Sequence, residues 1–293
     1  MRVHAGFGMG HAPYPPECQE FFTSGLQCWH TGQMGPPFFL VLAYTGTDFC
    51  GWQVQSAGRS VQGVLWSAVR RLWADAPMPQ GTGRTDAGVH AKGQGALIRM
   101  NKDWDEYRLL AALNAHLPPD VRVRALQAAP EGFFPRHHAI AKRYVYRLDE
   151  GPSADPFLEY RRWHLYGAAP IDRRGMQAAA SLLVGTHDFS SFRSRECSAA
   201  TPIKTIFDIR LESSGAGLEI VFEGDRFMMH QVRIMTGTLV DVGRSRIQAE
   251  AVQEILNSKD RRKAGITAPP EGLCLEKIWY APEWGIGEPC PFG

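Results

Sequence analysis

The sequence predicts an α+β protein: a largely antiparallel mixed sheet with flanking helices, arranged in two similar halves. Two observations support this class. Short apolar or alternating segments, typical of strands, are interspersed with segments whose apolar residues recur at helical spacing, and both halves show a similar element order. Strands and helices do not alternate regularly with long parallel runs, which disfavours a doubly wound sheet.

Glycine and proline set the predicted organisation of the chain. The loop at 151–156 contains both residues and forms a boundary between the two halves. The predicted segments are a variable or disordered extension over 1–36, an N-terminal half over 37–150 that carries a glycine-rich loop, a C-terminal half over 151–281, and a tail over 282–293.

The first half opens with a predicted buried strand at Phe38–Tyr44, a short apolar run rich in aromatics. Ser60 is placed to cap a helix, because Val61, Val64, Leu65, Ala68, Val69 and Leu72 follow it at helical spacing. Further predicted elements are a strand at Gln94–Met100, a helix at Asp105–Leu117 stopped by two prolines, a strand at Val121–Ala128 and an alternating strand at Ile140–Leu148.

The second half repeats this mixture of elements. Its predicted elements are a helix at Asp172–Val184, strands at Ile203–Leu211 and Leu218–Glu223 joined by a turn at 213–217, helices at Phe227–Val242 and Ala249–Leu256, and a last strand at Leu273–Tyr280.

Composition is typical of a soluble globular protein, with 44% apolar and 21% charged residues and a net charge of +2. The basic residues are nevertheless clustered, as a phosphate backbone would require, although any single cluster is also consistent with an ordinary solvated surface. The clusters are Arg136-His137-His138, Lys142-Arg143 with Arg147, Arg161-Arg162, Arg193 and Arg195, Arg244 and Arg246, and Arg261-Arg262-Lys263.

Cysteine spacing and hydropathy exclude several classes of protein. None of the six cysteines forms a C-x-x-C pair or stands beside histidine at zinc-ligand spacing, so we expect no metal site and free thiols. No apolar run approaches the roughly 18 residues that cross a membrane. We expect a cytoplasmic protein without membrane association. Organellar import stays open, although Arg2 is the one lysine or arginine before residue 36.

The segment GTGRTDAGVHA at Gly81–Ala91 is the most informative stretch of the chain. It lacks the G-K-[ST] end of a phosphate-binding Walker loop. A dinucleotide fingerprint would need glycine where Asp86 stands, and a carboxylate there repels pyrophosphate. What remains is a tight loop that presents Asp86 two residues after Arg84, and a nearby guanidinium favours the ionised carboxylate that a nucleophile needs.

Each candidate also has a plainer interpretation on physical grounds. Asp86 can be a turn former, and Tyr144 can be a core aromatic on a strand. Arg233 lies in an otherwise apolar helix, where a buried guanidinium needs a partner, so an ion pair is expected there. His90 and His230 fit either RNA contacts or satisfied polar side chains.

GRTDAGVHA resembles the signature of the TruA-type tRNA pseudouridine synthases, and further motifs are similar to that family in the same order. They cover roughly Phe38 to Tyr280. The motifs are AYTGTDFCGWQ (43–53), SVQ (60–62), PRHHA (135–139), RYVY (143–146), GTHDFSSFR (185–193), PIKTI (202–206), FMMHQVR (227–233) and APPEGL (268–273).

The resemblance implies a pseudouridine synthase fold and a cofactor-independent isomerase that converts uridine to pseudouridine at positions 38–40 in the anticodon arm of tRNA. It implies that Asp86 is the essential carboxylate, that Tyr144 packs on the base and helps remove its proton, and that Arg233 pairs with Asp86. It also implies a homodimer that binds tRNA across both subunits. The expected substrate-binding residues are Arg84, Arg143, Tyr144, Arg193 and Leu275, with no metal.

Two other functions remain open from the sequence. A catalytically silent RNA-binding module would keep the basic clusters without needing Asp86. A carboxylate-dependent hydrolase such as a glycosidase would need a second acid opposite Asp86. The nearest acids in motif-like context are Asp188 and Asp225, and neither shows a spacing that demands pairing with Asp86.

Overall fold

The computed structural model describes residues 35–166, 170–215 and 217–292. The predicted extension over 1–36 therefore lies outside the described residues, apart from Gly35 and Pro36. Within these ranges no helix has the length and apolar character needed to cross a membrane.

Ten strands of the described chain form one mixed, mostly antiparallel sheet, which confirms the predicted α+β class. Their order across the sheet is β4-β1-β3-β10-β5-β9-β8-β7, with β2 beside β3 and β6 beside β5. The strands are β1 (Pro37–Tyr44), β2 (Gln80–Gly81), β3 (His90–Arg99), β4 (Val121–Ala128), β5 (Ala139–Asp149), β6 (Trp163–His164), β7 (Gly185–Asp188), β8 (Ile203–Ser214), β9 (Gly217–Gly224) and β10 (Leu273–Tyr280).

Six helices accompany the sheet in the described ranges: α1 (Val61–Leu72), α2 (Glu106–His116), α3 (Pro135–His138), α4 (Arg173–Ser181), α5 (Gln231–Gly243) and α6 (Ala251–Ser258). The Ser60 hydroxyl accepts a hydrogen bond from the Gly63 amide, as the predicted cap requires. Asp105 and Asp172 cap α2 and α4 in the same way.

Strands from both halves of the chain meet at the centre of the sheet. Strand β10 runs parallel to β3, with Cys274 beside His90, and antiparallel to β5, with Leu275 beside Tyr144. Strand β5 pairs on its other edge with β9. This pairing puts the start of β3 and the middle of β5 on either side of β10. The boundary at 151–156 falls in the loop after β5, and the division into two halves stays a prediction.

Several predicted boundaries were wrong. Strand β3 begins at His90 rather than Gln94. Glycine is a poor strand former on propensity, but Gly93 and Gly95 lie in this strand because other segments approach them closely. A Cβ on Gly93 would lie 2.3 Å from the Glu276 carbonyl oxygen, and a Cβ on Gly95 would lie 2.1 Å from the Tyr280 hydroxyl. Helix α5 begins at Gln231 rather than Phe227, because His230 has a left-handed φ of 62° that breaks the helix. Helix α4 ends at Ser181, three residues early.

Candidate active site

The glycine-rich loop between β2 and β3 is held against β3 by backbone hydrogen bonds. Gly81 pairs with Ala96, and the Thr82 amide donates to the Gly95 carbonyl at 2.9 Å. The Gln94 side-chain amide donates to the Gly83 carbonyl at 2.7 Å. The loop therefore folds back along the strand that follows it.

The turn after β1 supports the loop from the other side. The Trp52 amide donates to the Thr85 carbonyl at 3.1 Å, and the hydroxyls of Tyr44 and Thr85 are 2.8 Å apart. Gly51 has a φ of 107°, and a Cβ there would lie 2.5 Å from the Thr85 carbonyl oxygen. The AYTGTDFCGWQ segment thus positions the residue that immediately precedes Asp86.

Asp86 forms an ion pair with Arg233 of α5. The Arg233 Nη1 donates to Asp86 Oδ2 at 3.0 Å, and its Nε donates to the Ala268 carbonyl at 2.8 Å. The Ala268 amide donates in turn to the Arg233 carbonyl at 3.1 Å. The side chains of Arg233 and Asp86 are 12% and 20% exposed. The ion pair expected for Arg233 is therefore present, and the APPEGL segment fixes the guanidinium.

His230 is a site residue whose place beside Asp86 the sequence left open. Its Nε2 lies 3.6 Å from Asp86 Oδ2, and its backbone is left-handed, which for a residue other than glycine is strained. One signal was available in the sequence: His230 precedes Arg233 by three residues in the helix predicted over Phe227–Val242, a spacing that would put both on one helix face, although the structure begins that helix at Gln231.

Tyr144 of β5 lies beside the glycine-rich loop and is buried. Its ring meets Phe227 edge to face, with ring centroids 5.2 Å apart. Burial raises its pKa above the ordinary value, and the Asp86 carboxylate and the Cys274 thiol raise it further. The phenol is therefore un-ionised at neutral pH. Leu275, beside it on β10, is buried against the same strand.

The other predicted substrate-binding residues occupy three different environments. Arg84 is exposed in the glycine-rich loop. Arg193 follows the 3₁₀ turn Ser190–Phe192 and lines a surface cavity of about 350 Å³. Arg143 is not brought to Asp86: it is adjacent to Tyr144 on β5, hence on the other sheet face, and forms an ion pair with Glu223. Its substrate contact stays a prediction.

A basic surface adjoins His230. A cavity of about 390 Å³ is lined by His230, Arg195, Arg261 and Arg262, and it shares Ser194, Arg195 and Arg261 with the cavity at Arg193. Arg261 has no carboxylate partner among the described residues. Its guanidinium donates instead to the carbonyls of Ala264 and Gly265 and to the Thr267 hydroxyl. Arg195 and Arg261 therefore place positive charge beside His230, whereas Arg262 is paired with Asp260 and Glu196 also lines the first cavity.

Lys142, two residues before Tyr144 on β5, approaches the same loop. Its Nζ lies 2.7 Å from the position that a Cβ on Gly83 would occupy. Burial, followed by the nearby Arg226 and Arg136 guanidinium groups, lowers the pKa of Lys142 to about 8.

The acids that a hydrolase would need are engaged elsewhere. Asp188 pairs with Lys259 at 3.1 Å and accepts from the Ser190 amide. Asp225 accepts from the amides of Thr205 and Arg226. The described ranges also contain no group of three or more histidine, cysteine, aspartate or glutamate side chains arranged to hold a metal ion.

Comparison with known proteins identifies close relatives over most of the chain. A family model described as tRNA pseudouridine synthase matches residues 179–281. A tRNA pseudouridine synthase A from Myxococcus xanthus is 41% identical over 246 residues, covering 84% of this chain and 92% of the relative. Proteins of the same name from Geotalea daltonii and Geobacter sulfurreducens are 37% and 39% identical, each covering 82% of this chain and 98% of the relative.

Proposed function

Because this chain belongs to the tRNA pseudouridine synthase family, we propose that it converts uridine to pseudouridine at positions 38–40 of the tRNA anticodon arm, using Asp86 and no cofactor. Family membership itself makes the chain an isomerase that modifies tRNA. The arm, the carboxylate and the absence of a cofactor are the proposal.

One observation carries the role of Asp86. The Arg233 guanidinium and the His230 ring both approach the carboxylate at Oδ2, while Oδ1 has no hydrogen bond or ion pair within the described residues. A carboxylate held at one oxygen and open at the other is oriented without being blocked. A turn-forming aspartate, by contrast, uses its oxygens on its own backbone.

The reaction needs only groups that lie around this carboxylate. The target nucleotide leaves the helical stack, and packing against the edge of Tyr144 and Leu275 offsets part of that cost. The N1–C1′ glycosidic bond breaks while Asp86 attacks or stabilises C1′. The uracil turns and C5 bonds to C1′, which releases the Asp86 carboxylate if it has bonded to C1′. C5 then loses a proton and N1 gains one, so atoms and electrons balance. Because the Tyr144 hydroxyl is un-ionised, it can take the C5 proton only if it gives its own proton to a second acceptor, which is N1 of the base or solvent water.

A homodimer and a cytoplasmic location belong to the same proposal. Phe157 and Tyr166 are 88% and 77% exposed, and aromatic side chains are enriched at protein–protein interfaces relative to the rest of the surface. Sedimentation of the full chain should give a dimer, and replacing both residues by serine should weaken it; a monomer at micromolar concentration would contradict the assembly. Free thiols at Cys50, Cys197, Cys274 and Cys290 support a reducing compartment.

The decisive experiment compares Asp86→Asn with a matched control, Asp103→Asn, which lies in the exposed loop after the opposite end of β3. We expect Asp86→Asn to lower pseudouridine formation by about 10⁴-fold or more, as loss of a nucleophile does, with tRNA binding within about 3-fold. The control should keep both. Undiminished product from Asp86→Asn would refute the role of Asp86. Binding without product in the wild type would favour the RNA-binding module, and release of free uracil would favour the hydrolase.

The modified positions require a separate measurement. Pseudouridine mapped in total tRNA from cells with and without this gene should differ at positions 38–40. A difference confined to another arm of tRNA would refute the assignment to the anticodon arm.

A further inference from the structure

Lys142 is a charged group beside the active site that the proposed reaction does not use. It lies on β5 two residues from Tyr144, so both side chains leave the same face, about 6.6 Å apart along the strand. Its ammonium occupies space that a side chain on Gly83 would fill. Gly83 immediately precedes Arg84. Lys142 therefore lies alongside the loop that presents Asp86.

No counter-charge or acceptor holds this ammonium among the residues described. Lys142 forms no ion pair and no side-chain hydrogen bond there. Lys204 provides the contrast, because its Nζ donates to the carbonyls of Thr201 and Ile203 at 2.7 and 2.9 Å. A lysine that serves the fold is satisfied in that way. The three donors of Lys142 are left open.

The charges around Lys142 are positive. Arg136 comes from α3 and Arg226 from the segment after β9, and both are exposed and without an ion pair in the described part of the chain. The pairing of Gly224 with Lys142 brings that segment to β5. Burial and these two guanidinium groups lower the pKa of Lys142 to about 8. An unneutralised, partly buried cation is costly unless a negative charge compensates it, which favours an anionic ligand at this position.

We propose that Lys142, flanked by Arg136 and Arg226, binds a phosphodiester oxygen of the target nucleotide while Asp86 acts on its sugar. The proposal rests on the proposed function, which places a nucleotide at Asp86. A phosphate would supply both the missing negative charge and the missing acceptors.

The test compares Lys142→Met, Lys142→Arg and the control Lys102→Met in the full chain. Lys102 is exposed in the loop after β3, about ten strand residues, or roughly 33 Å, from the catalytic loop. For Lys142→Met we expect the KM for tRNA to rise by about 10- to 100-fold, the range for one lost charge-assisted hydrogen bond, with kcat within 2-fold. Lys142→Arg should recover most of the affinity, and Lys102→Met should resemble the wild type.

Two further readouts separate binding from a structural role. Removing an uncompensated cation should leave the Tm unchanged or raise it, whereas loss of a structural lysine lowers it. The slope of log affinity against log salt should fall by about 0.7–0.9, one phosphate contact. An unchanged KM, or a loss confined to kcat, would overturn the proposal.

A labelling experiment keeps the proposal testable if Lys142→Met fails to fold. Acetylation of wild-type Lys142 at pH 8 by an N-hydroxysuccinimide ester, followed by mass spectrometry, should be suppressed by saturating tRNA, while Lys102 stays reactive. Equal labelling of Lys142 with and without tRNA would overturn the assignment. If the wild type binds tRNA but forms no pseudouridine, the proposed function fails. Suppression of Lys142 acetylation by tRNA would still show, independently of that result, whether Lys142 contacts the RNA.

Discussion

The pairing of Asp86 with Arg233 can be tested by a double-mutant cycle of Asp86→Asn, Arg233→Met and the double variant. Arg233→Met removes two charge-assisted hydrogen bonds, one to the Asp86 carboxylate and one to the Ala268 carbonyl. Each such bond contributes about 1.5–3 kcal/mol. Methionine recovers part of this by packing, so we expect a loss of about 3 kcal/mol in the free energy of unfolding. The Tm should fall by roughly 6–12 °C.

The coupling energy isolates the pair itself. Both side chains are mostly buried but not fully so, at 12% and 20% exposure, which favours the lower end of the range for a charge-assisted bond. We expect the double variant to be about 1.5 kcal/mol more stable than the sum of the two single losses predicts. Urea titration of all four proteins measures this quantity directly. The hydrogen bond from Arg233 to the Ala268 carbonyl does not involve Asp86, so its loss contributes equally with and without Asp86→Asn and cancels from the coupling energy.

Activity should follow the same geometry. Without the guanidinium, the carboxylate loses the contact that fixes Oδ2, and a displacement of about 1 Å at a reacting group costs on the order of 100-fold. We therefore expect Arg233→Met to lower kcat by at least that factor and Arg233→Lys to lower it less. Additive unfolding energies within about 0.5 kcal/mol, or Arg233→Met with near wild-type kcat, would refute the orienting role.

Three further outcomes are expected. Tyr144→Phe keeps the ring but removes an un-ionised hydroxyl, so pseudouridine formation should slow by about 10-fold or more with an unchanged Tm; an unchanged rate would contradict a role in proton transfer. Gly51→Ala places a Cβ 2.5 Å from the Thr85 carbonyl oxygen at a φ of 107°, whereas the control Gly132→Ala has a φ of 81° and open space. Gly51→Ala should therefore lose about 1–3 kcal/mol more stability and more activity than the control; equal losses would contradict the loop-support argument. Burial lowers the pKa of Lys142 in the folded protein from 10.5 to about 8, so between these pH values the unfolded chain binds more protons than the folded chain. The free energy of unfolding of the wild type, relative to that of Lys142→Met, should therefore rise from pH 8 to pH 10.5. Urea titrations measure this difference, and a difference that does not change with pH would contradict the lowered pKa.

Helices and strands were predictable where the spacing of apolar residues agreed with the residues that cap or end the element. The apolar run of β1, the Ser60 cap of α1 and the strand β10 were located from neighbouring residues alone. The start of β3 could not be located in this way, because Gly93 and Gly95 are typical of a strand break. The residues that approach these glycines closely, Glu276 and Tyr280, are far from them in the sequence. The short strands β2, β6 and β7 carry too few residues for a periodicity.

The candidate site divides in the same way. Asp86 stood out through its own loop, and Arg233 through its position in an apolar helix, although their pairing across 147 residues came from family resemblance rather than from spacing. Arg143 and Lys142 looked alike as basic residues on one strand. The structure pairs Arg143 with Glu223, whereas none of the residues it describes gives Lys142 a counter-charge, because neighbouring strand residues face opposite sides of the sheet.

The amino-acid sequence by itself determined the fold class, most of the long elements, the family and the residue types available for chemistry. These follow from propensity, periodicity and motif order, which act over a few residues. Only the tertiary structure decided that Asp86 is held at one oxygen, that His230 joins Arg233 beside it, and that Lys142 lies against the same loop with no counter-charge from the described ranges. Such contacts depend on strand order and register, which are set by packing between segments far apart in the chain.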